Sequence, residues 1–122
     1  MSGEREYTDY LRDMLDAIDK AERFVQGLDE ATFVANDEKV YAVTRALEII
    51  GEAVKALPDT LRDRYRDVPW RTIAGMRDKL IHGYFGASPR RIWQTVVDDL
   101  PTLRTGITQI LADLEKGVGA PK

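Results

Sequence analysis

A chain of 122 residues, 43% apolar and 32% charged, has the composition of one soluble globular domain, long enough to bury a core unaided by metal or disulfides. It contains no cysteine, which excludes a disulfide framework, zinc thiolate sites and a cysteine nucleophile, and is compatible with a reducing cytosol. The net charge of −3 and a pI near 5.2 exclude a chain-wide electrostatic grip on nucleic acid, so any such contact has to be local.

In chain order, Tyr7, Leu11, Met14, Ile18, Ala21, Val25 and Leu28 recur at spacings of four and three, predicting one long helix whose stripe Tyr10, Ala17 and Phe24 widen. A polar break follows, in which Asn36 and Asp37 are good N-cap residues. Val40, Val43, Leu47, Ile50, Val54 and Leu57 predict a second long helix, and its small residues Ala46, Gly51 and Ala53 would let another helix approach closely. Leu57-Pro58 ends it, and a short helical piece is expected around Asp59 to Tyr65. Pro69 suits a first helical turn, after which Trp70, Ile73, Met76, Leu80 and Ile81 give the next helix its apolar side, with Gly83 as its stop.

Ser88-Pro89 opens a further helix carrying Ile92, Trp93, Val96, Val97 and Leu100. Pro101 should break or kink it, and Leu103, Ile107, Ile110 and Leu114 continue the stripe. Residues 1–116 therefore read as a single helical domain and 117–122 as a flexible C-terminal tail. Strand alternation and internal repeats are absent, so the expected fold class is all-α, an antiparallel bundle of four to five helices. No apolar run approaches the roughly 18 residues of a membrane span, and the N-terminal Met-Ser-Gly-Glu-Arg-Glu is too polar for a signal peptide. The expected location is the cytoplasm, with no membrane partner.

The candidate chemistry lies in Arg77-Asp-Lys-Leu-Ile-His82-Gly-Tyr84, which holds the single histidine of the chain. A proton carrier active near neutral pH, a guanidinium shaped for phosphate and a hydroxyl suit phosphodiester chemistry. The surrounding charge is locally basic: Arg62, Arg64, Arg66, Arg71, Arg77 and Lys79 precede the histidine, Arg90 and Arg91 follow it, and Asp59, Asp63, Asp67 and Asp78 dilute the excess. On one unbroken helix, positions 77 and 82 are about 140° apart and 82 and 84 about 200° apart. Convergence thus needs either a helix end near Gly83 that swings Tyr84 back or a second subunit. The same residues also fit a purely structural account, with His82 capping the last carbonyls, Arg77 on the surface and Tyr84 packed on the bundle.

Arg77, four residues, His82, one residue and Tyr84 match the R-x4-H-x-Y motif of HEPN domains, which are all-helical and often act on RNA. The flanking blocks Asp13-Met-Leu-Asp-Ala-Ile18, Leu47-Glu-Ile-Ile-Gly-Glu-Ala53, Pro69-Trp70, Gly75-Met-Arg77, Leu80-Ile-His-Gly-Tyr-Phe85 and Asp99-Leu-Pro-Thr-Leu103 resemble the HepT-like toxin family. The likeness runs in order from about Tyr7 to Ile110.

This resemblance implies the toxin of a toxin–antitoxin system, a homodimeric, metal-independent endoribonuclease that uses no cofactor and cuts RNA in a cleft shared by two subunits. By motif position Arg77 would hold the scissile phosphate, and His82 would be the general acid–base group for attack by the ribose 2′-hydroxyl, which DNA lacks. Tyr84 would receive AMP from a small nucleotidyltransferase antitoxin, whose added charge and bulk silence the cleft. Asp78 and Lys79 are candidate supporting residues, and no metal ligand is assigned. Asp78 departs from the family, in which asparagine is common at this position; a carboxylate beside the cleft repels phosphate where an amide donates to it.

A different class stays open: a non-catalytic RNA- or nucleotide-binding subunit that docks the nucleotidyltransferase, with a plain helical dimerisation module as a third. Trp70 and Trp93 fit apolar helix positions and read as core rather than base-stacking platforms, and Glu48 and Glu52 read as surface or interface residues rather than ligands.

Overall fold

The computed structural model describes residues 7–82 and 88–117, the side chains of Ile81 and His82 apart. Every element among these residues is helical: α1 (Tyr7–Phe24), α2 (Glu30–Val34), α3 (Asp37–Ala56), α4 (Asp59–Arg64), α5 (Trp70–His82), α6 (Pro89–Gln94) and α7 (Leu100–Glu115). A wide π turn, Thr95–Asp99, joins α6 to α7 without a break. The architecture is an all-α bundle of four long helical runs with α2 and α4 as short connectors.

The predicted stripes are the buried ones, except at Val97, which is 50% exposed. Leu11, Met14, Ala17, Ile18 and Ala21 of α1 meet Val43, Leu47, Ile50 and Val54 of α3, which is the central helix and packs on both α1 and α5. Leu100, Leu103, Ile107 and Ile110 of α7 close the core against α1. Each such side chain, fully buried, contributes about 1.5–3 kcal/mol relative to exposure, so burial of these faces rather than helix propensity holds the bundle.

Three expectations need correcting. The first helix does not run on to Leu28: it stops at Phe24, because Gly27 takes φ +81°, a backbone that reverses the chain. Val25 and Leu28 still rest on the core from that turn. The polar break is itself structured, since Asp29 and Thr32 form a reciprocal capping box in which the Thr32 N–H donates to Asp29 Oδ1 at 2.8 Å and the Asp29 N–H donates to Thr32 Oγ1 at 2.9 Å. That one-turn helix delivers Phe33, fully buried, against Trp93 with ring centroids 5.5 Å apart.

Pro101 neither breaks nor ends its helix. Proline lacks the N–H that an α-turn would use, and the backbone accommodates it by widening the preceding turn, where the Leu100 N–H donates to the carbonyl of Thr95 five residues back.

The remaining boundaries fall where capping chemistry puts them. Asn36 accepts the Lys39 N–H at 3.1 Å to start α3, and Ser88 accepts the Arg91 N–H at 3.2 Å ahead of Pro89. Pro69 lies just before α5 and accepts the Ile73 N–H, while Trp70 donates its indole N–H to the Tyr65 carbonyl at 3.0 Å. Trp70 and Trp93 thus serve packing. Gly83, expected as the stop of α5, and residues 118–122, the bulk of the expected tail, lie outside the described residues.

Candidate functional site

Arg77 sits two-thirds of the way along α5, directly over Gly51 of α3. A Cβ placed on Gly51 would lie 2.1 Å from Arg77 Cβ and 2.7 Å from its Cγ, distances no pair of carbons can hold. The stem of the arginine therefore fills the space that a side chain at position 51 would need. The small residue expected to permit close helix approach does so at the candidate catalytic arginine.

Anchored this way, the Arg77 side chain is only 25% exposed. One Nη donates to Asp78 Oδ1 at 3.3 Å, whereas Nε is buried and has no hydrogen-bond partner among the described residues. A buried donor without an acceptor costs about 1–3 kcal/mol.

Asp78 Oδ1 also accepts from Lys55 Nζ, on the last turn of α3, at 2.6 Å. The Lys55 hydrogen bond foremost, and Arg77 after it, hold the Asp78 carboxyl below the usual carboxylate range, so it is ionised at neutral pH. Lys79, the other candidate supporting residue, is exposed. His82 is the last residue of α5, so Arg77 and His82 lie on one continuous helix and, at about 100° per residue, do not share a face. The His82 side chain and the whole of Tyr84 lie outside the described residues.

Lys55 drew no attention in the sequence. Its signal was available only in combination: it lies four residues, one helical turn, after Gly51, and so it shares the side of α3 that meets α5.

Beyond Asp78 a groove of about 710 Å³ opens between α4 and the start of α5. Arg62, Arg66 and Arg71 line it, but so do Asp59, Asp63 and Asp78, and Arg62 is paired with Asp59. The local basic excess seen in the sequence is largely cancelled there. Glu48 is taken up by Arg45 at 3.3 Å, and Glu52 is exposed. Among the described residues no group of three acidic or histidine side chains is placed to hold a metal ion.

The class these features define is an all-helical bundle that presents a partly buried arginine, its Nε without a partner among the described residues, five positions ahead of a helix-terminal histidine. The family model described as "Ribonuclease HepT-like" matches residues 14–110, and the chain belongs to that family. Its relatives include "Probable ribonuclease HepT" of Thermococcus cleftensis, 44% identical over 82% of this chain and 91% of that protein. A candidate RNase of Methanocaldococcus jannaschii is 39% identical over 92% of this chain and 97% of its own length. A candidate RNase of Caldanaerobacter subterraneus subsp. tengcongensis is 44% identical over 84% of this chain and 91% of its own. No solved structure matches the chain at a significant level.

Proposed function

We propose that this chain is a metal-independent endoribonuclease, the toxin of a toxin–antitoxin pair. The observation that carries the reading is the Arg77 guanidinium, half-buried and pinned over Gly51, its Nε without a partner among the described residues, in a chain of the HepT-like ribonuclease family. Arg77 binds the scissile phosphate and stabilises the charge that builds on it. His82, the acid–base group, accepts the proton of the 2′-hydroxyl as that oxygen attacks phosphorus, and returns a proton to the departing 5′-oxygen. The products are a 2′,3′-cyclic phosphate and a 5′-hydroxyl, and no water or metal enters the step.

Because Arg77 and His82 lie on different sides of α5, the working unit is a homodimer in which the arginine of one protomer faces the histidine of the other. Tyr84 is the control point. AMP transferred to it by a nucleotidyltransferase antitoxin places phosphate charge beside the arginine and histidine, repelling RNA. No described helix is long and apolar enough to cross a membrane, and the cytoplasm is the proposed place of action.

Purified protein should cleave single-stranded RNA in EDTA, with His82→Ala slowing it by about 10²–10⁴-fold at unchanged melting temperature. Cleavage that survives His82→Ala removes the histidine from the mechanism. After co-expression with the nucleotidyltransferase, the Tyr84 peptide should gain the mass of AMP; an unmodified peptide from a silenced complex overturns the regulatory half.

One observation favours a second reading, a non-catalytic subunit that docks the nucleotidyltransferase and presents RNA or nucleotide to it. The Asp78 carboxylate already occupies one Nη of Arg77. That reading predicts RNA binding with no turnover, even when Tyr84 is unmodified.

A further inference from the structure

The Asp78 carboxylate is shared. A single oxygen accepts from Lys55 Nζ at 2.6 Å and from an Arg77 Nη at 3.3 Å, so the two cationic nitrogens lie less than about 6 Å apart around one anion. This bridge crosses between helices, as Arg90–Glu30 and Arg104 with Asp19 and Glu22 also do, but it does so at the motif arginine. Lys20–Asp16, Arg45–Glu48 and Arg62–Asp59 are neighbours on single helices, whereas Lys55 and Asp78 are 23 residues apart and join α3 to α5 at the motif arginine.

Its geometry is also fixed from beneath. Gly51 seats the Arg77 stem, and Lys55 leaves α3 one turn further on, so one close helix contact places both cations. Two cations on one carboxylate leave an excess of one positive charge, and the Arg77 Nε adds a donor with no acceptor among the described residues. In the neighbouring groove Arg62 is already paired with Asp59, and Asp63 dilutes Arg66 and Arg71.

We propose that Lys55 is a second phosphate-binding residue of the site, and that Asp78 is an internal anion which occupies Lys55 and Arg77 until an RNA backbone phosphate displaces it. This rests on the ribonuclease reading above and deepens it. A phosphodiester carries the charge of the carboxylate with more acceptor oxygens, so it can engage the ammonium and the guanidinium together. Lys55 and Asp78 are each 43% exposed, so the exchange needs no opening of the core. The presence of a carboxylate rather than an amide at position 78 then sets a threshold: RNA binds only as tightly as it outcompetes Asp78.

The test uses the full-length protein and a labelled single-stranded RNA whose 2′-hydroxyls are methylated, so that it binds without being cut. Lys55→Ala should weaken binding about five- to tenfold and lower the slope of log K against log salt by about 0.7, the loss of one phosphate contact on a single strand. Lys55→Arg should restore most of both, and Asp78→Asn should tighten binding several-fold. With cleavable RNA, Lys55→Ala should raise KM at unchanged kcat, because the lost contact is made equally in ground and transition states.

Wild-type affinity and salt slope in Lys55→Ala, alongside weakened binding in Arg77→Ala, would overturn the proposal and leave the ribonuclease reading standing. Weaker binding by Asp78→Asn would overturn the role given to the carboxylate. A wild-type protein that neither binds nor cuts RNA would sink both readings together.

Discussion

Two charge clusters in this molecule are near mirror images. In one, Lys55 and Arg77 share the carboxylate of Asp78. In the other, Asp19 and Glu22 of α1 share the guanidinium of Arg104 on α7, which lies 2.6 Å from Asp19 and in contact with Glu22. Both tie two long helices together, and both mix exposed and half-buried groups.

The difference is in what is left over. Arg104 faces two anions, Glu22 foremost, which hold it more firmly protonated, so the anions are in excess in that cluster. Around Asp78 the cations are in excess and one Arg77 nitrogen is unsatisfied among the described residues. A cluster with anions in excess holds a fold together, whereas one with unspent donors is poised for something that arrives from outside.

That contrast can be broken most forcefully at the glycines. Gly51→Ala would drive a Cβ into the Arg77 stem at 2.1 Å and displace the guanidinium, whereas Gly106→Ala would drive one into Val68 Cγ2 at 2.3 Å. Both should cost about 1–3 kcal/mol of stability through overpacking, moderated by the better helix propensity of alanine. Only Gly51→Ala should also cut RNA cleavage, by roughly a hundredfold, since displacement of a catalytic group by about 1 Å is enough. Equal activities of the two variants at a temperature well below both melting points would show that Gly51 positions nothing.

A milder effect is expected at the Arg104 cluster. Arg104→Met keeps much of the apolar stem and removes the charge, leaving Asp19 and Glu22 facing each other on α1. The loss should be about 1 kcal/mol or less, a fall of a few degrees in melting temperature that shrinks in high salt, with RNA binding untouched. A change in RNA affinity would place Arg104 in the substrate path and erase the distinction between the clusters.

The smallest effect separates both clusters from a link with no cationic partner. The Tyr65 hydroxyl donates to Asp113 at 2.6 Å, and burial first, then that carboxylate, push its pKa from 10.0 up to about 12. The raised value means the folded state keeps the proton that the unfolded chain gives up. This contribution is therefore complete below pH 10 and is lost as pH rises through about 12. Tyr65→Phe should match wild type in the pH dependence of its melting temperature up to pH 10 and fall less steeply above it. Parallel curves across that window would show that the hydrogen bond carries no titration.

How much of this could be read from residues alone follows the range of the interactions. The stripes of α1, α3 and α7 were legible because their period is local, and the core they predict is the core observed. The end of α1 was misplaced because Val25 and Leu28 keep the apolar rhythm after Gly27 has turned the backbone. Phe33 was missed because its helix is a single turn, too short to show a period, and its nucleating signal is the polar pair Asp29 and Thr32.

At the site, the motif itself is contiguous and could be read directly, but its anchoring could not. Gly51, Lys55 and Asp78 act together only because α3 and α5 pack closely, and nothing in a helical period says which helix a given glycine will face. The departure at Asp78 was visible in the sequence; its second partner was not.

The wide turn at Thr95–Asp99 has a consequence for the lineage of the chain. It takes up one residue more than straight winding would use, and each residue of an α-helix carries about 100° of rotation. Ile92 before it, Val96 within it and Leu100, Leu103 and Ile107 after it nevertheless all face inward. The turn thus acts as a phase corrector, absorbing a length change in a helix that spans the bundle without rotating the downstream half out of the core. Loss of a single residue there, such as the exposed Val97, would close the wide turn to an ordinary α turn and leave α7 facing the core, whereas loss of one residue inside α7 would rotate everything after it by about 100°.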